Sequence, residues 1–172
     1  MSNDPEQNLF RKVGDAFRRS GQAQDAMDNA AAAFFGVHRT DLSLLDALQF
    51  GGQMSAGELA RRVSLSPAAV TAALDRLERA GYVRRLRDER DRRRVLVEVT
   101  AEMQERAEQV YGPLAARSAE LLGGFTDDQL RTMIEVLERG AEMQFEQAAH
   151  LRARVSEEPG AGPRRAAGRS AG

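Results

Sequence analysis

Apolar residues in the middle of the chain recur first at helical and then at strand spacing, and the change of period marks out the elements. Leu59, Ala60 and Val63 share one face of a short helical pattern. Val70, Leu74 and Leu77 repeat at the same spacing and predict a second helix with a buried face. After Gly81 the period falls to near two, which predicts strands over residues 82–87 and 95–99. On either side the helical period dominates. Leu9, Phe10, Val13 and Phe17 form an apolar stripe near the start, and residues 23–35 give an alanine-rich helical pattern broken by Gly36. Leu130, Met133, Ile134, Leu137, Ala141 and Phe145 share a face near the end. The fold class predicted is mainly α, with a small β-hairpin set between helices.

Residue chemistry at the ends of these patterns supports the same boundaries. Ser55-Ala-Gly-Glu58 is a capping box, and Ser66-Pro67 places a hydroxyl at an N-cap with proline at the first helical position. Gly81 stands where a left-handed C-terminal cap is expected. Thr40 and Thr100 are read as caps, and Thr126-Asp-Asp-Gln129 as a second capping box, while Gly123-Gly124 ends the helix before it. Tyr111-Gly112-Pro113 predicts a bend within that helix. Between the strands, residues 88–94 read Asp-Glu-Arg-Asp-Arg-Arg-Arg, too charged to be buried, so the turn projects. Two short helices followed by a projecting cationic hairpin read as a winged helix-turn-helix, in which one helix can enter a major groove while cations meet phosphates or the minor groove.

The net charge of −1 conceals an uneven distribution. Residues 54–99 carry 11 Arg against 7 acids, whereas residues 100–158 carry 6 Arg against 12 acids. A basic module attached to an acidic helical body directs the module towards a polyanion. There is no cysteine, which excludes thiol redox sensing, disulfides and cysteine zinc sites. The two histidines, His38 and His150, lack the spacing of a metal site on one helix. No Walker-type phosphate loop or nucleophile elbow occurs, so neither an enzyme nor a cofactor is expected. The polar start is unlike a secretory leader, and no run is long enough to span a bilayer; a cytoplasmic, nucleoid-associated protein without membrane contact is expected.

Over residues 9–151 the chain resembles the MarR family of winged helix-turn-helix regulators. Asp91-Arg-Arg-Arg-Val95-Leu-Val-Glu-Val-Thr100 is similar to the family's wing signature, with Val99 in place of leucine. Leu65 to Thr71 and Asp75 to Val83 are similar to its recognition helix and the exit from it. The resemblance implies a dimeric transcriptional regulator of double-stranded DNA. It divides the chain into N-terminal helices for dimerisation (1–40), the DNA-binding region (41–100), C-terminal dimerisation helices (101–151) and a disordered tail (152–172).

Residue roles follow where positions match. Ser66, Pro67, Ala68, Thr71 and Arg76 are the expected contacts of the recognition helix, with Arg92 entering the minor groove, Arg90 beside it, and Arg93 pairing with Asp91. Ala68, Ala69 and Ala72 offer no hydrogen bonds to bases, so shape and half-site spacing carry part of the specificity. Arg84, Arg85 and Arg87 fit either DNA contacts or salt bridges, for instance to Glu78. Two recognition helices about one helical turn apart, roughly 34 Å, would read a pseudo-palindrome. The family also implies a pocket for a small aromatic or amphipathic effector, drawn from Phe34, Phe35, His38, Phe50, Met54 and Tyr111, whose occupancy relieves repression. The competing reading is a winged-helix module that binds another protein.

Overall fold

The computed structural model describes residues 5–88 and 91–157. Six helices and three strands follow one another as α1 (Pro5–Phe35), α2 (Arg39–Gly51), β1 (Met54–Ser55), α3 (Ala56–Arg62), α4 (Pro67–Arg79), β2 (Val83–Arg87), β3 (Val95–Val99), α5 (Ala101–Leu122) and α6 (Asp127–Glu157). The chain divides between Ala115 and Ala116 into two compact units.

The first unit holds the core. Leu44, Leu59, Val70, Leu74, Leu77 and Val97 are fully buried, and for Leu59, Val70, Leu74 and Leu77 this is the apolar face their spacing predicts. Full burial of one such side chain stabilises by about 1.5–3 kcal/mol. Strands β2 and β3 pair antiparallel, with Val83 opposite Val99 and Arg85 opposite Val97. On the other edge of β3, Met54 of β1 lies opposite Val97, so the hairpin is part of a three-stranded sheet in the order β1-β3-β2. Two residues are too few to show a period, which is why this strand was not evident in the sequence.

Helix ends follow the capping chemistry closely. The Glu58 amide donates to the Ser55 hydroxyl while the Ser55 amide donates back to the Glu58 carboxylate at 2.8 Å. Ser66 accepts from the amide of Ala69 at 3.2 Å, and Gly81 adopts φ +77° at the exit of α4. Thr100 caps α5 through the Met103 amide and donates its own hydroxyl to the Gly81 carbonyl at 2.7 Å, which fastens the start of α5 to the exit of α4. Thr40 departs from expectation. It lies inside α2, whose N-cap is His38 with no side-chain cap, and the helix start is held instead by Arg39 reaching Asp25 and Asp28 of α1. Between α3 and α4, Ser64 takes φ +54°, a left-handed conformation that the sequence, with serine there and not glycine, gave no reason to expect.

Tyr82, read as a strand residue, precedes β2 and is buried beneath it. Its hydroxyl donates to the carbonyl of Phe35, the last residue of α1, at 2.8 Å, and Arg106 of α5 lies over its ring. One side chain thus joins the ends of three elements.

In the second unit, Thr126 and Gln129 form the predicted reciprocal box at the start of α6. Helix α5 continues through Pro113 without interruption. Helix α6 extends to Glu157, so residues 152–157 are helical and not part of a disordered tail; the remainder of that tail lies outside the described residues. Ile134, Leu137, Met143 and Phe145 of α6 are half or more exposed, as are Leu9 and Phe10 of α1.

Replacing Tyr82 by Phe leaves the buried Phe35 carbonyl without its donor at nearly constant volume. Urea denaturation is expected to show a loss of about 1–2 kcal/mol with an unchanged m-value.

Candidate functional site

Helices α3 and α4, joined by the Ser64 turn, form the helix-turn-helix. Burial of Val70, Ala73, Leu74 and Leu77 fixes the rotation of α4. That rotation leaves Ser66, Pro67, Ala68, Thr71 and Ala72 on the exposed side, with Ala69 half-buried. The Thr71 hydroxyl donates to the Pro67 carbonyl at 2.9 Å, which orients its methyl and keeps an oxygen lone pair available. The exposed edge near the start of α4 is therefore small and sparsely polar.

Arg76, expected among the DNA contacts, is committed elsewhere. Its Nε donates to Asp41 Oδ2 at 3.0 Å and its terminal nitrogen to Oδ1 at 2.5 Å. Asp41, on α2, is 2% exposed, while Arg76 retains a partly open side chain. The pair is a bidentate clamp from α2 to α4, and any contact of this guanidinium with DNA competes with it.

The wing is held by a similar use of charge. Arg84 pairs with Glu98 across β2 and β3, and Arg85 reaches Asp75 and Glu78 on α4. Arg94, at the start of β3, donates to both oxygens of Glu58 at 3.0 and 3.1 Å. Hydrogen bonds from the Ser55 hydroxyl and amide, with Arg94 beyond them, hold the Glu58 carboxyl down at about 2. At the tip, Asp91 accepts from the backbone amide of Arg93 at 3.0 Å. That bond replaces the side-chain ion pair expected between these residues, because a short aspartate meets the amide two residues on more readily than a distant guanidinium. The side chains of Arg92 and Arg93 are exposed and meet no partner among the described residues. Arg90 lies outside the described residues.

A cavity of about 410 Å³ opens in the first unit between α1, α2 and α5. Three residues of the expected pocket, Phe35, Phe50 and Tyr111, line it together with Leu42, Leu45 and Met103. Phe34, His38 and Met54 do not. Phe34 stands edge-on behind Phe35 with its own ring more than half exposed, and Met54 is drawn into the sheet as part of β1. Carboxylates that spacing did not single out, Asp28, Asp46 and Glu108, line the cavity as well. Burial, then repulsion from Asp28, push the Asp46 carboxyl up from 3.8 to about 6, against the pull of Arg39. Burial and these two aspartates also push the Tyr111 phenol up, so it stays neutral.

Residues 37–95, which contain the clamp, both helices and most of the hairpin, match the profile of the MarR family. YcgE of Bacillus subtilis (strain 168), an uncharacterized HTH-type transcriptional regulator, is 34% identical over 136 residues, 79% of this chain and 88% of the relative. The chain belongs to the MarR family. It is thus a transcriptional regulator of the helix-turn-helix type. MdtR of the same organism, an HTH-type transcriptional repressor, is 26% identical over 151 residues, 88% of this chain and 81% of MdtR. A mutant MarR from E. coli complexed with operator DNA superposes with a TM-score of 0.51 at 25% identity, covering 77% of this chain and 95% of that one.

Two features of this MarR-family chain escaped sequence reasoning. The Asp41–Arg76 clamp joins residues 35 apart, and only the oddity of an aspartate on an apolar face could have signalled it. The acidic lining of the cavity comes from three separate helices. Replacing Arg76 by Met strands the Asp41 carboxylate in the core, so the urea midpoint is expected to fall; the double replacement Asp41→Leu with Arg76→Met is expected to recover most of the loss. For Asp46, the folded state binds the proton more tightly than the unfolded chain between 3.8 and about 6, so the group lowers stability as pH rises through that window. Because water screens this half-open carboxyl, Asp46→Asn is expected to gain about 1 kcal/mol near neutral pH and nothing below the window, read from urea curves across the range.

Proposed function

We propose that this regulator acts as a homodimer on a pseudo-palindromic operator and represses transcription until a small molecule occupies the cavity. The observation that carries the reading is the division of arginines across the basic module. Arg76, Arg84, Arg85 and Arg94 are tied to carboxylates within the fold, while Arg92 and Arg93 extend from the wing with no described partner. A hairpin stiffened by internal ion pairs and tipped with open guanidiniums suits insertion beside a phosphate backbone. Ser66, Pro67, Ala68 and Thr71 would meet the major groove, and Arg92, with Arg90 and Arg93 near it, the minor groove. MdtR, named a repressor, and the operator-bound E. coli MarR support the direction of the reading. Guanidiniums at the wing tip with no partner among the described residues favour a polyanion over a protein partner on that surface.

Dimerisation is supported by the terminal helices. A stripe of Leu9, Phe10, Val13 and Phe17 on α1, and another of Ile134, Leu137 and Phe145 on α6, remain exposed in the single chain. Apolar stripes of this length are characteristic of faces covered by a partner, and a second copy sets two recognition helices at a fixed separation. An effector that prefers one separation over another shifts the population between DNA-competent and incompetent dimers. No described helix is long and apolar enough to cross a membrane, in keeping with a regulator that works on the nucleoid.

Fluorescence anisotropy on the DNA upstream of the protein's own coding region, against a shuffled duplex and across a salt series, tests the assignment. Tight binding with preference for the native duplex is expected; equal weak binding to both would remove sequence-specific recognition. Arg92→Ala is expected to weaken binding and reduce the salt slope by about one. Leu137→Asp places a charge in the proposed dimer face, and sedimentation is expected to show monomer; an intact dimer would place the interface elsewhere.

A further inference from the structure

The cavity described above has an apolar wall and a charge of one sign. Three carboxylates, Asp28, Asp46 and Glu108, line it, and among the described residues no lysine, arginine or histidine does. They are not equivalent. Asp28 already receives Gln24 at 2.7 Å and Arg39 at 3.3 Å. Arg39 also bonds Asp25, so the nearest guanidinium is held outside, at the junction of α1 and α2. Asp46 and Glu108 accept no hydrogen bond from any described residue. Phe35 and Tyr111 add two rings, 6.5 Å apart and tilted by 42°.

We propose that this cavity selects a cation, specifically an aromatic or amphipathic molecule bearing a protonated amine, with Asp46 as its principal counter-charge and the faces of Phe35 and Tyr111 against its apolar part. The proposal rests on the reading of the cavity as the effector site and adds the chemical class of the ligand. A volume of about 410 Å³ falls within the range of small-molecule sites, and its apolar lining favours a ring system. The sign of the charge then decides among ring systems. An anion would enter against three carboxylates with no cation in the lining to receive it, and a neutral ligand would cover Asp46 without pairing it. A protonated amine supplies hydrogen-bond donors to Asp46 and Glu108, and aromatic faces attract such a charge in their own right.

Titration behaviour agrees with this assignment. Asp46 faces Asp28 from α1, and Tyr111 and Glu108 from α5, with Arg39 on its own helix. A cation beside it favours the ionised form, so amine binding is expected to tighten as pH rises through about 6 and then level off.

Three probes with one ring and different charge separate the possibilities: naphthylmethylamine, naphthylmethanol and naphthoate, titrated into the full chain. The chain has no tryptophan, so naphthalene emission is read to the red of that of its two tyrosines. The amine is expected to bind at least about tenfold more tightly than the alcohol, with naphthoate weakest. Asp46→Asn is expected to reduce the amine's advantage to about threefold or less and to remove its pH dependence, while urea curves verify that the variant is folded. Equal affinities, the reverse order, no binding of the amine at millimolar concentration, or a preference that survives Asp46→Asn would each overturn the proposal. A second arm measures DNA binding with each probe at saturation. If the charge order holds but DNA affinity is unchanged, the cation site stands and the effector reading fails. If only the alcohol or naphthoate alters DNA affinity, the effector reading stands and the cation proposal fails.

Discussion

The carboxylate of Asp41 is almost entirely withdrawn from water, and the rest of the DNA-reading half depends on how that charge is met. Removing a carboxylate from water costs several kcal/mol, which the protein offsets only where a counter-charge with good geometry is fixed beside it. Arg76 supplies that geometry with two donors from the last turns of α4. The contact constrains position more than an ordinary helix packing contact does because it has direction: α4 cannot rotate or slide along α2 without separating the two charges. Apolar packing of Val70, Leu74 and Leu77 sets which face is buried, and the clamp sets where along α2 that face lies.

Much of the arginine content of the module follows the same logic. A surplus of positive charge in residues 54–99 suggests many phosphate contacts, yet several of the guanidiniums are already engaged by carboxylates at the joints between α3, α4 and the hairpin. Such pairs are individually weak at a surface. Their effect is geometric: they fix the position of the hairpin relative to α4, while the module keeps a surplus of positive charge to which Arg92 and Arg93 contribute at the wing tip.

Helices, caps and hairpin were legible in the sequence because each is a local phenomenon. A capping box spans four residues, and a buried stripe repeats every third or fourth, so Ser55, Ser66, Gly81 and Thr126 announced their roles. Elements set by distant partners were not legible. Met54 and Ser55 form a strand because β3 offers them an edge, not through any preference of their own. His38 takes the cap position expected of Thr40, and the Arg39 ion pairs to α1 hold the helix start two residues earlier. For the candidate site, exposure of Ser66, Pro67, Ala68 and Thr71 followed from the helical period, and that of Arg92 and Arg93 from the charge of the turn that carries them. The commitment of Arg76 and the acidic cavity lining did not, since both require knowing which helices meet.

Glu58 closes the first turn of α3 and at the same time grips Arg94 at the base of the wing. Helix-turn-helix and wing are thereby one stiff body, with little freedom to tune individual contacts to a duplex. In the proposed dimer two such bodies engage one operator, and the second engagement is intramolecular, so its strength is set by effective concentration and not by contact quality. A change in the distance between the two bodies then forfeits avidity all at once. Regulation of this kind acts on residence time: a dimer whose second body no longer reaches its half-site is released at the rate of a single weak contact, although every side chain that touches DNA remains as it was.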